Sequence, residues 1–106
     1  MKPLLDECVD QKLRLLFAEH DCQTAAYAKL AGLKNGVLLA AAEAAGFEVL
    51  ITTDQGMPYQ QNLEGRRIAI LVLCASTNRL ADLKNLVPTA LVRLRAIHAG
   101  EVVRLA

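Results

Sequence analysis

The chain of 106 residues has no tryptophan, two tyrosines, two phenylalanines and a single serine. Aromatics make up 4% of it against 54% hydrophobic residues overall, so the core must be built from Leu, Ala, Val and Ile. The one serine, Ser76, stands in no Gly-x-Ser-x-Gly elbow and reads as a helix cap, while His20 and His98 lie by polar breaks. A Ser-His-Asp hydrolase is therefore not expected. Gly-x-x-x-x-Gly-Lys is missing as well, which argues against a phosphate-binding P-loop. No apolar run approaches the roughly 20 residues needed to cross a bilayer, so a protein without membrane association is expected. Neither sign of charge dominates: a net charge of +1 gives no general attraction for nucleic acid, and a polyanion would have to be held by a local patch.

Cysteine is scarce and unpaired. Cys8, Cys22 and Cys74 show no CxxC spacing and no His-x-x-His partner, so zinc ligation is not expected. Each sits beside apolar residues and reads as a small buried thiol. The odd count, with no charged-then-apolar leader, leads us to expect a reducing, cytoplasmic setting.

What is present is an alternation of short apolar runs and helical segments. Lys2-Pro3-Leu4-Leu5 opens the chain as a strand, and Val9, Leu13, Leu16 and Phe17 then fall on one helical face. Residues 21–27 predict a weak second strand. Asn35 is a natural N-cap for the alanine-rich run that follows, and Gly46 suits the position just past its end. Residues 47–53 are apolar and β-branched, the pattern of a buried parallel strand. Ile68 to Cys74 is the clearest strand, seven residues without a polar break. Helical sequence from about Arg79 to His98 breaks before Pro88, because the residue preceding proline is pushed away from helical angles. Gly100 ends it, and residues 101–105 can add a last strand. This order predicts one α/β domain over residues 1–106, with a mostly parallel central sheet flanked by helices.

Two of these strands end in a carboxylate, Asp6 after the first and Asp54 after the third. In a parallel sheet both ends lie on the edge where open α/β folds bind ligands. Two carboxylates held close together repel unless a proton or cation lies between them, so the pair suggests a divalent metal site. Mg²⁺ or Mn²⁺ suits such a site, since both prefer oxygen ligands and tolerate water elsewhere. Each acid alone also has an ordinary explanation, as a helix cap for Asp6 and as turn chemistry for Asp54. Glu7 points to the face opposite Asp6 on an extended chain. Glu43 lies about two turns beyond Asn35 on the alanine-rich helix, and Asn35 is better placed to reach a site at the sheet edge. Tyr59-Gln60-Gln61-Asn62 offers hydrogen-bonding groups in the loop after Asp54.

Leu4-Leu5-Asp6-Glu7-Cys8, the helix start Asn35-Gly36-x-Leu38-Leu39, Gly46-Phe47-x-Val49-Leu50-Ile51-Thr52-Thr53-Asp54 and Tyr59-Gln60-Gln61-Asn62-Leu63, in this order across nearly the whole chain, resemble the small bacterial PIN-like proteins of unknown function. The resemblance implies a PIN-like three-layer sandwich. It also implies a Mg²⁺- or Mn²⁺-dependent endoribonuclease, the toxin of a toxin–antitoxin pair, with RNA as substrate and a small antitoxin-like protein as partner. Asp6 resembles the first acid of the family and Asp54 the acid after the later central strand. Relatives often carry Asp where this chain has Asn35. An acid on that helix contributes to the metal in broader PIN nucleases, and Glu43 is the one available here. The expected site is thus Asp6, Asp54 and Glu43, with Asp6 and Asp54 on the metal and Glu7, Asn35, Gln60 and Gln61 in support. With two firm ligands, one hydrated ion is accommodated but a two-metal clamp is short of charge.

A catalytically silent PIN-like module that binds a protein partner is the main alternative. A receiver-like protein phosphorylated on a strand-end Asp is a weaker one, because no Lys follows the last strand. The leucines at 80, 83, 86 and 91 form a stripe for burial against the sheet or against a second copy in a homodimer.

Overall fold

The computed structural model describes residues 1–56, 63 and 65–106, with Asn35 described by its backbone alone. Five strands form one sheet: β1 (Pro3–Leu5), β2 (Gln23–Thr24), β3 (Val49–Thr52), β4 (Ala69–Leu73) and β5 (Val102–Leu105). Their order is β2-β1-β3-β4-β5, and every pairing is parallel. Leu5 is level with Ile51 on one side and Thr24 on the other.

Successive strand residues point to opposite faces, and both faces are covered. Leu4, Leu50, Ile70 and Val72 meet Leu38, Leu39 and Ala42 of α1 (Asn35–Ala44). On the other face Leu5, Ile51, Leu71 and Val103 pack with Leu13 and Phe17 of a 3-10 helix (Gln11–Phe17), and with Leu83, Ala90 and Leu94 of α2 (Leu80–Lys84) and α3 (Val87–Leu94). Helices therefore lie on both faces of the sheet, in three layers. Because both faces are buried, β3 and β4 are buried along their full length, which is why they read as unbroken apolar runs. Fully burying each such Leu or Ile contributes roughly 1.5–3 kcal/mol.

The leucine stripe belongs to this core: Leu83 is buried and Leu80, Leu86 and Leu91 pack against it. The helical region breaks ahead of Pro88 at residues 85–86, but Val87 is itself the first helical residue of α3, so the proline sits in the first turn and does not set the break. Gly46 takes φ +88° just past α1, where its N–H bonds Glu43 O at 3.0 Å and the Phe47 N–H bonds Ala42 O at 3.0 Å. That is a Schellman ending.

Three local expectations are corrected. The first helical segment is a 3-10 helix: Asp10 caps it through a side-chain bond to the Lys12 N–H, and the Leu13 N–H reaches Asp10 O, winding it in i to i+3 steps. α1 starts one residue earlier than expected, with Lys34 in the N-cap position and Asn35 as its first helical residue. The cysteines are not all buried, since Cys8 is exposed and Cys22 and Cys74 are half-buried. Among the described residues no helix is long and apolar enough to cross a membrane.

Candidate acid site at the sheet switch point

The chain runs outward from β1 to β2, then returns past β1 to β3. Strand order reverses between β1 and β3, and ligands of open α/β sheets bind outside the carboxyl ends of strands at such a point. Asp6 follows β1 directly, and its N–H continues the ladder to Ile51 O at 2.9 Å. Asp54 follows β3 by two residues.

One buried hydroxyl ties the two together. Thr52 is fully buried; its Oγ1 donates to Asp6 Oδ2 at 2.8 Å and accepts the Asp54 N–H at 3.0 Å. A threonine hydroxyl has one proton, and here it goes to the carboxylate. The Cys8 Sγ contact with Thr52 Oγ1 at 3.5 Å must then be donated by the thiol, while the Thr53 hydroxyl donates to Cys8 Sγ at 3.2 Å. Asp6 Oδ1 accepts the Glu7 N–H at 2.8 Å, so both Asp6 oxygens are held. Asp54 is exposed, with Oδ1 accepting the Gly56 N–H at 2.9 Å in a tight turn.

Asp6 and Asp54 line one cavity of about 310 Å³, together with Glu7, Cys8, Lys34, Leu33 and Leu38. Glu7 does not turn away from the site as its alternation predicts. It lines the cavity while its carboxylate accepts the Gly32 N–H at 3.2 and 3.4 Å, tying β1 to the loop ahead of α1. Lys34 brings the N-terminus of α1 to the same cavity.

Glu43 lies elsewhere. Its Oε1 pairs with Arg66 Nη1 at 3.0 Å, and its Oε2 meets Arg67 Nε at 3.8 Å and accepts the Arg67 N–H at 3.4 Å. It lines a separate cavity with Gly46, Phe47, Glu48 and Arg67. Gln60 and Gln61 lie outside the described residues, as does the side chain of Asn35.

Asp6 and Asp54 both pass the test of donor chemistry for a hard divalent cation. Asp6 is 8% exposed, and neither acid is ion-paired among the described residues. Each Asp6 oxygen uses one lone pair on a hydrogen bond and keeps another. No group of three or more His, Cys, Asp and Glu among the described residues is arranged to hold a metal, so any ion here would keep several waters.

The sequence pattern missed Thr52 and Cys8. Of these only Thr52 carried a signal, as a hydroxyl at the end of an otherwise apolar buried strand. Cys22 lies away from the acids; burial pushes its thiol up to about 11, opposed by Arg14, and it remains protonated at neutral pH. No protein-family model, curated protein or solved structure matches the chain.

Proposed function

We propose that the chain is a Mg²⁺- or Mn²⁺-dependent endoribonuclease whose ion is held by Asp6 and Asp54. The observation that carries this reading is the buried Asp6 carboxylate, which has no ion-pair partner among the described residues and is linked through the Thr52 hydroxyl to the Asp54 backbone across the switch point. When bound, the ion supplies Lewis-acid stabilisation of charge on a phosphodiester. The protein contributes the rest. Thr52 and the Glu7 N–H fix the orientation of Asp6, so no reorganisation is needed when a cation arrives. Exposed Asp54 has Oδ1 committed to its turn and lines the same cavity as Asp6. The Lys34 ammonium adds positive charge for a phosphate, and Leu33 and Leu38 exclude water from part of the wall.

The resemblance of the motifs to PIN-like proteins supports RNA as substrate and the role of toxin beside a small antitoxin-like partner. Glu43 has no part in the proposed mechanism, because Arg66 and Arg67 already neutralise it.

The test is cleavage of an RNA mixture in Mn²⁺, with calorimetric Mn²⁺ titration of the same samples. Wild type should cleave and bind, and Asp6→Asn and Asp54→Asn should do neither. Equal cleavage by wild type and the double variant would overturn the proposal. The engagement of Glu43 by two arginines also favours a second reading, a silent module in which the third acid has been withdrawn from the site. Wild type that binds Mn²⁺ no better than the double variant selects that reading.

A further inference from the structure

A cavity of about 490 Å³ lies beside β2 and falls within the roughly 300–1,000 Å³ of small-ligand pockets. Shared lining residues relate it to the acid site. An intermediate cavity of about 290 Å³ shares Gln11, Thr24 and Ala26 with it, and shares Asp6 and Glu7 with the acid cavity. Thr24 is level with Leu5 in the ladder. The groove therefore begins about one strand spacing, roughly 5 Å, from the strand that carries Asp6.

What lines the far end is unusual for this chain. Phe17 and Phe47 are 0% and 4% exposed, as core aromatics should be, whereas Tyr27 is 77% exposed and lines the large cavity. Burial in the core does not account for it. Arg14 shares the cavity and forms no ion pair among the described residues, and the amides of Gln11 and Gln23 complete a set of hydrogen-bonding groups. An open aromatic face, a guanidinium plane and amides are the groups that take an unstacked nucleobase.

Charge decides which part of a strand enters. Asp10 lines the intermediate cavity and Asp21 the large one, so a run of phosphates along the groove would be repelled. A neutral base would not be.

We infer that the β2 cavity is a base-binding slot, in which a nucleotide flanking the phosphate at Asp6 and Asp54 stacks on Tyr27 with Arg14 beside it. This rests on the nuclease reading for the position of the phosphate, and it assigns that enzyme a single-stranded substrate, since a base inside a duplex cannot reach the slot.

The test is fluorescence anisotropy of the full chain with a labelled eight-nucleotide single-stranded RNA, and a DNA of the same sequence, in EDTA so that nothing is cleaved. Circular dichroism should show each variant folded, Tyr27 being a surface residue. Tyr27→Ala should weaken RNA binding roughly tenfold, within the range that loss of a base–aromatic stack gives. Tyr27→Phe should restore it, and Arg14→Gln should weaken it severalfold. Equal RNA binding by wild type and Tyr27→Ala, or dependence on Tyr27 with DNA alone, would overturn the slot. The two proposals fail separately. RNA cleavage that needs Asp6 and Asp54 but has the same KM in Tyr27→Ala overturns the slot and leaves the nuclease. Tyr27-dependent RNA binding without cleavage in Mn²⁺ overturns the nuclease and leaves the slot.

Discussion

Replacing Thr52 with valine keeps the shape of the side chain and removes one oxygen from a fully buried position. Three bonds go with it: the donation to Asp6 Oδ2 at 2.8 Å, the acceptance from the Asp54 N–H at 3.0 Å and the Cys8 contact at 3.5 Å. The first is made to a carboxylate, and hydrogen bonds to charged groups contribute roughly 1.5–3 kcal/mol. The second leaves a backbone donor without its partner, at about 1 kcal/mol where some water can reach it. The third costs little, because Cys8 is exposed and its thiol can turn to solvent. Against these stands the extra buried methyl of valine, worth about 0.8 kcal/mol. The bonds win, and a net loss of about 2 kcal/mol is expected. For a domain near 100 residues that lowers Tm by roughly 8–16 °C. Thr52→Ser keeps the hydroxyl and gives up a methyl, so it should lose about 1 kcal/mol. Urea unfolding followed by circular dichroism measures both. The order Ser above Val runs against hydrophobicity and β-propensity, each of which favours valine. A valine variant as stable as wild type would refute the account of Thr52 as the tie between the two acids. The same samples titrated with Mn²⁺ should show affinity reduced roughly 10–100-fold in Thr52→Val and largely kept in Thr52→Ser, the usual effect of losing a group that orients a ligand.

Glu43→Gln leaves partly buried Arg66 without its charged partner and should cost about 1–2 kcal/mol in urea unfolding, discounted for the solvent that reaches the arginine. Mn²⁺ affinity should not change; a loss comparable to that of Asp54→Asn would bring Glu43 into the proposed metal site. The Cys22 thiol, raised by burial from 9.0 to about 11, holds its proton in the folded chain where the unfolded chain has released it. Its contribution to stability is complete below pH 9 and is lost as pH rises through about 11. Wild type should therefore lose Tm more steeply over that range than Cys22→Ala, and parallel alkaline limbs would refute the assignment. At neutral pH a small alkylating agent should label Cys8 well before Cys22, as read by peptide mass.

The architecture was legible because the central strands β1, β3 and β4 are buried on two faces and carry no polar alternation to mislead the eye. Residues 49–52 and 69–73 are the clearest cases. The acid pair was legible for a related reason, since a carboxylate after such a run must leave the core at the strand's C-terminal end. Winding was harder to read. Val9, Leu13 and Phe17 mark the correct inward face, yet the same spacing serves a 3-10 helix once Asp10 pins its start. Glu43 could not be assigned from its helix alone, because its phase decides which groups it meets, and Arg66 comes from a distant part of the chain. Thr52 joins residues remote in sequence, and no periodicity encodes such a contact. Tyr27 carried no pattern at all; its significance lies in its exposure while both phenylalanines are buried.

β1 has no partner close to it in sequence. Its neighbours are residues 23–24 and 49–52, and the Thr52 to Asp6 bond spans 46 positions. Closing so long a loop costs chain entropy before any contact repays it, so pairing of β1 with β3 belongs late on the folding route. A nascent chain that has emerged only through α1 already carries Asp6 and cannot yet set Asp54 beside it. The cleft between the two acids therefore comes into being with the completed sheet. Under the proposed function, a divalent ion would report on folding as well as on chemistry, and the site would stay silent until the domain is whole.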